Sequence, residues 1–247
     1  MDHHTVAAIA IAGSCLDVLG SLYLAYDLLG GPHGPLRLLT RAVTYSILFG
    51  IGYGLGLGLT FGVASGLALG VTLAIELNRT AKRQDHYPLA LEALFSLIRA
   101  SAFSGALYPQ VGLRFALLYG ALLTVGQVVA YTFGVRPAMR FTISRGPQLT
   151  RALIRTTVLR TAGYIAAALL CSAVVHHLEH PWLFAVRLGV VTGLVTGFGM
   201  AFSPHVEYYA DNLPQRRMGV LGVGLMFWGF ALQSLQYWLA VFDVRLT

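Results

Sequence analysis

GIGYGLGLGLTFGVASGLALG, residues 50–70, is the stretch from which the fold is read. Gly50, Gly54, Gly58, Gly62, Gly66 and Gly70 recur at every fourth position, with Gly52 and Gly56 between them. In water each glycine inside a helix costs about 1 kcal/mol relative to alanine, so a helix this rich in glycine would not hold. In a bilayer the backbone has no water to bond with and stays helical, and small residues one turn apart let helices approach closely. The stretch therefore reads as tightly packed membrane helices. A single helix from Thr40 to Leu77 would be about 57 Å long at about 1.5 Å per residue. That far exceeds a hydrocarbon core of about 30 Å. A hairpin turning near Thr60 to Gly62 is expected instead, with the two glycine rows free to face one another.

Composition extends this reading to the whole chain. Mean hydropathy is +0.69. Apolar residues make up 56% of the 247 and charged residues 11%, against roughly 25% charged in an ordinary soluble domain. At about 20 apolar residues per span, eight spans are predicted, at 6–29, 40–58, 61–78, 88–107, 113–134, 153–176, 182–203 and 217–242. Little chain remains for a soluble domain. The amino terminus, MDHHTVAAIAIAG, lacks the positive region of a secretory signal, so the first span is expected to be retained. Cys15 and Cys171 both fall inside spans without CxxC spacing and read as small packing residues.

The net charge of +7 does not point to nucleic acid once the charges are placed. Of the 17 Lys and Arg, twelve fall on one side of the eight-span arrangement: Arg37, Arg41, Arg79, Lys82, Arg83, Arg136, Arg140, Arg145, Arg151, Arg155, Arg216 and Arg217. Arg114 and Arg245 fall on the other side, and Arg99, Arg160 and Arg187 lie within spans. The positive-inside rule then predicts that both termini are non-cytoplasmic. It also assigns Arg41, Arg140, Arg145, Arg151 and Arg155 to the inner face, where anionic lipid headgroups or an acidic partner would meet them at about 1 kcal/mol per charge.

Similar segments recur in the same order in the two halves of the chain. LAYDLLG at 24–30 resembles VAYTFG at 129–134, and Thr40-Arg41 matches Thr150-Arg151. Gly52-Tyr53 matches Gly163-Tyr164, and Gly62, Gly66 and Gly70 match Gly189, Gly193 and Gly197. Residues 1–110 and 111–247 thus read as two four-helix repeats. An even number of spans in each makes them parallel, related by an axis along the membrane normal, as in some transporters.

An ionisable group at mid-membrane costs several kcal/mol unless paired or hydrated. Asp17 and Arg99 each sit about midway along a predicted span, at a shared depth, so they are candidates either for a substrate or ion path or for a buried pair that locks two helices. Arg187 lies near the outer end of its span and reads as an anchor. His176, His177 and His180, with Glu179, are of the residue types that bind zinc, but a solvated outer turn is the preferred reading and no metal site is assigned. Gln127, Gln233 and Gln236, with Tyr45, Tyr53, Tyr131 and Tyr164, read as polar groups bonding between helices. No P-loop, nucleophile elbow or carboxylate array is present, and no cofactor is indicated.

An all-α polytopic membrane protein is the fold expected. A transport or permease-type subunit, with its site between the two helical halves, is the leading functional reading. Two others stay open: a non-catalytic accessory subunit packed in a larger membrane complex or a homo-oligomer, and a membrane lipid-modifying enzyme.

Overall fold

The computed structural model describes residues 3–82, 88–132, 151–175, 181–212 and 217–241. Among them the chain is all-helical: α1 (His3–Leu28), α2 (Arg37–Leu57), α3 (Leu59–Lys82), α4 (Leu89–Thr132), α5 (Arg151–Val174), α6 (Pro181–Asn212) and α7 (Arg217–Val241), with one 3₁₀ turn at Gly31–His33. All seven α-helices are long and apolar enough to cross a membrane. The segment bracketed by Pro137 and Pro147 lies outside the described residues.

Two glycines interrupt the helical run where the chain turns. Gly58 separates α2 from α3 at φ 98°, a backbone angle that L side chains rarely adopt. The α2–α3 turn therefore falls slightly ahead of the expected Thr60 to Gly62, and Gly58 serves the turn rather than the row: no heavy atom lies within 4 Å of where its Cβ would stand. Within the 44 residues of α4, Gly112 leaves helical geometry at φ 79° and ψ 166°, three residues after Pro109. Beyond it the chain doubles back, because Ser104 Oγ donates to the Ala116 carbonyl at 2.7 Å. The two arms of α4, on either side of Gly112, thus lie side by side.

The chain divides into two compact units, and they cut across the sequential halves 1–110 and 111–247: residues 1–41 with 210–247, and residues 42–209. In the first unit α1 packs along α7. Backbones touch at two levels: a Cβ on Gly13 would stand 2.7 Å from the Gly229 carbonyl oxygen, and one on Gly20 would stand 2.5 Å from that of Gly222. Asp27 accepts a hydrogen bond from the Gly219 N–H at 3.1 Å, satisfying one of the orphan donors in the first turn of α7.

In the second unit Gly62 faces Gly50 and Gly54 of α2, Gly66 faces Gly50 and Ser46, and Gly70 faces Ser46. On α6, Gly189, Gly193 and Gly197 face Ile165, Thr161 and Thr157 of α5. Gly52 and Gly56 meet Val195 and Val191 of α6. Around these contacts sits an aromatic core in which Phe61 stacks on Phe103 at 5.3 Å between centroids and Tyr53 meets both rings edge-on. Hydroxyls fasten α6 along its length. Tyr53 bonds Thr196 at 2.6 Å, Tyr119 bonds Thr192 at 3.1 Å, and Tyr45 donates to the Ser203 carbonyl at 3.0 Å.

Candidate functional site

Charge inside the membrane helices is concentrated in the second unit. On α3, Thr72 and Glu76 stand one turn apart on one face, and on α4, Glu92, Ser96 and Arg99 follow at helical spacing. All five are buried. Arg99 Nη2 donates to Glu76 Oε1 in a buried ion pair, and Arg99 Nε donates to Thr72 Oγ1 at 2.7 Å. The Phe95 ring lies 6.0 Å from the guanidinium carbon. Glu92 accepts from Ser96 Oγ at 3.4 Å, and it lies within electrostatic reach of Glu76, Arg99 and Arg160. Two carboxylates and two guanidiniums thus form one cluster of zero formal charge, the arrangement that makes intramembrane charge tolerable.

Beside the cluster is a cavity of 280 Å³. Its polar wall carries Glu92 and Arg160, with Gln127 and Tyr164. Gln127 Nε2 donates to the Tyr164 hydroxyl at 3.2 Å, while Gln127 Oε1 is buried with no hydrogen-bond partner among the described residues. Gly126 and Gly163 also line it, and neither has a heavy atom within 4 Å of its would-be Cβ, so both leave the space open. A larger groove of 640 Å³ between the arms of α4 has no charged lining.

Asp17 and Arg99, expected either to line a path or to form a buried pair, each have hydrogen-bond partners within their own unit. Asp17 accepts from Gln233 Nε2 at 2.5 Å, and Gln233 also reaches Ser14 at 3.3 Å. Arg99 has Glu76 and Thr72. Arg187 donates from Nε and Nη2 to the Gly56 carbonyl at 3.1 and 2.8 Å, so it caps the carboxyl end of α2. Arg41 is buried, and Arg151 and Arg155 lie on the first two turns of α5. Arg140 and Arg145 lie outside the described residues, as do His176, His177 and His180.

Sequence reasoning missed Glu76 and Glu92 and left Arg160 without a role. The signal was present, since both glutamates fall inside the predicted spans 61–78 and 88–107. Applying to them the rule that singled out Asp17 and Arg99 would have found the cluster.

Helices of this length and apolarity define a multi-pass helical membrane protein. Comparison with protein families, with curated proteins and with solved structures finds no match for the chain.

Proposed function

We propose that the chain is a transport or permease-type membrane subunit whose solute site is the cavity beside the charge cluster. The observation that carries this reading is the pairing of a 280 Å³ cavity with Glu92 and Arg160 on its wall inside otherwise apolar helices. A purely structural ion pair needs no adjoining space. Here Glu76 and Arg99 already form such a pair, and Glu92 and Arg160 stand on the wall of an open volume.

In this reading α4 crosses the membrane twice, with its turn at Gly112, giving eight crossings and two non-cytoplasmic termini. The cavity then lies toward the cytoplasmic side, between the second arm of α4 and α5. Glu76, Glu92 and Arg99 come from the first proposed repeat, Gln127, Arg160 and Tyr164 from the second. The duplication gains support from helix contacts. The register that aligns Gly52-Tyr53 with Gly163-Tyr164 also aligns Gly54, Gly50 and Ser46 with Ile165, Thr161 and Thr157. Those are the residues met by the two matched glycine rows.

The accessory-subunit reading drew on a glycine surface available to another chain. Gly62, Gly66, Gly70, Gly189, Gly193 and Gly197 all meet helices of their own chain, so transport takes precedence. The test is reconstitution into vesicles loaded with a mixture of labelled small metabolites. Export of at least one solute faster than from protein-free vesicles, and lost with Glu92→Gln, is the expected result. No difference from empty vesicles across the mixture would refute the proposal.

A further inference from the structure

The cavity constrains the chemistry of what it holds. Its wall presents a carboxylate and a guanidinium, Glu92 and Arg160, together with the amide of Gln127 and the hydroxyl of Tyr164. Leu122 and Leu159 are among the residues that make the remainder apolar. A ligand with only a negative charge would gain from Arg160 and be repelled by Glu92. One with only a positive charge would meet the reverse. A neutral apolar ligand would leave the buried acceptor of Gln127 without a polar partner in a medium of low dielectric.

We infer that the cavity binds a small zwitterion, a molecule carrying an ammonium and a carboxylate or phosphate on an apolar body. The anionic end lies at Arg160, and the ammonium lies at Glu92, where Gln127 Oε1 supplies a further acceptor. Three observations converge on this. Opposite charges share one cavity. The amide oxygen of Gln127 is buried and unbonded among the described residues. Gly126 and Gly163 keep the apolar part open. At about 30 Å³ for each water-sized unit, the volume admits about nine heavy atoms. That is the size of an amino acid with a branched aliphatic side chain, or of a phosphoethanolamine headgroup whose glycerol extends outside the cavity. Recognition of this kind rests on the transport reading for its purpose, and its test is binding rather than flux.

The experiment uses the full chain in lipid nanodiscs and labelled leucine as probe. Competitors are isoamylamine, which keeps the ammonium and the aliphatic body; 4-methylpentanoate, which keeps the carboxylate and the body; and glycerophosphoethanolamine. Saturable leucine binding is expected, with each singly charged analogue competing at least tenfold more weakly. Glu92→Gln should weaken leucine at least tenfold while 4-methylpentanoate competes as well as before or better. Arg160→Gln should do the reverse, sparing isoamylamine. Gly163→Val, which takes up about a third of the cavity at about 30 Å³ per heavy atom and leaves every charge in place, should weaken leucine and 4-methylpentanoate more than the smaller isoamylamine. Should glycerophosphoethanolamine outcompete leucine tenfold, the zwitterion is a lipid headgroup; the opposite order makes it a free solute.

The inference is overturned if neither zwitterion binds, or if a singly charged analogue binds as tightly as leucine. It is overturned equally if both charge variants lose all probes to the same degree. Where a neutralised variant does not accumulate, the order of competitors on the unaltered protein decides, and Glu92→Asp with Arg160→Lys should preserve that order. Zwitterion binding without flux would retire the transport reading and keep this one. Flux of a singly charged solute without zwitterion binding would do the opposite.

Discussion

Replacing Gly66 by alanine tests whether the glycine row is a packing surface or a compositional accident. A Cβ at Gly66 would stand 2.6 Å from the Gly50 Cα and 2.7 Å from the Ser46 carbonyl oxygen. Both are backbone atoms, so no rotamer change can relieve the contact and α2 must move away from α3. Overpacking of this kind costs typically about 1–3 kcal/mol. Higher helix propensity returns up to about 1 kcal/mol, leaving a net loss of about 0–2 kcal/mol when that offset is fully realised. Gly105 supplies the control. It is exposed on α4, with no heavy atom within 4 Å of its would-be Cβ, so Gly105→Ala gains propensity and meets nothing. Equilibrium unfolding in mixed micelles should place Gly66→Ala below the unaltered protein and Gly105→Ala at or above it. The reasoning fails if the two variants are equally stable, because the same chemical change would then be blind to its surroundings.

Arg99→Gln should lower accumulation in the membrane by removing the guanidinium that pairs with buried Glu76, a loss of up to about 3–5 kcal/mol. Adding Glu76→Gln should restore part of it, as a double-mutant cycle on unfolding free energies would show. Gln233→Leu removes the donor that faces Asp17 on α1. Protein yield should fall with this change and recover when Asp17→Leu is added. Tyr53→Phe leaves Thr196 buried without its phenolic partner, and unfolding should report a loss of about 1–3 kcal/mol, with Val at Thr196 in the double variant recovering part of it.

Helical class and membrane environment were legible because they depend on composition and on runs of apolar residues longer than a bilayer needs. The hairpin after α2 was legible for the same reason, a length argument, yet its apex was not. Any glycine of the row can adopt a positive φ, and sequence alone does not say that Gly58 does. The pairing of α1 with α7 went unseen, although Gly13 and Gly20, and Gly222 and Gly229, are each seven residues apart, a spacing that keeps small residues on one helix face. Arg99 was found from depth alone. Its partner was not, because depth gives one coordinate and contact needs three. Asp17 shares Arg99's depth in the sequence picture, but Glu76, nearer the end of its helix, is the group whose side chain reaches the guanidinium.

Repetition along α6 carries a cost of its own. Ala185, Gly189, Gly193 and Gly197 follow one another at intervals of one turn, as do Thr192 and Thr196. If α6 slid along its axis by about 5.4 Å, a single turn, each small residue would enter the slot of its neighbour. Thr192 would arrive opposite Tyr53 in place of Thr196. Smooth, periodic packing therefore admits two alignments of nearly equal quality, and close approach alone cannot choose between them. The choice falls to groups that do not repeat, at Tyr119, which would meet Leu188 in place of Thr192, and at the two ends. Such a slide would draw Arg187 off the Gly56 carbonyl and part Ser203 from Tyr45. These contacts act as stops at either end of a rail, so their removal would blur which alignment the helix adopts more than it would weaken the helix itself.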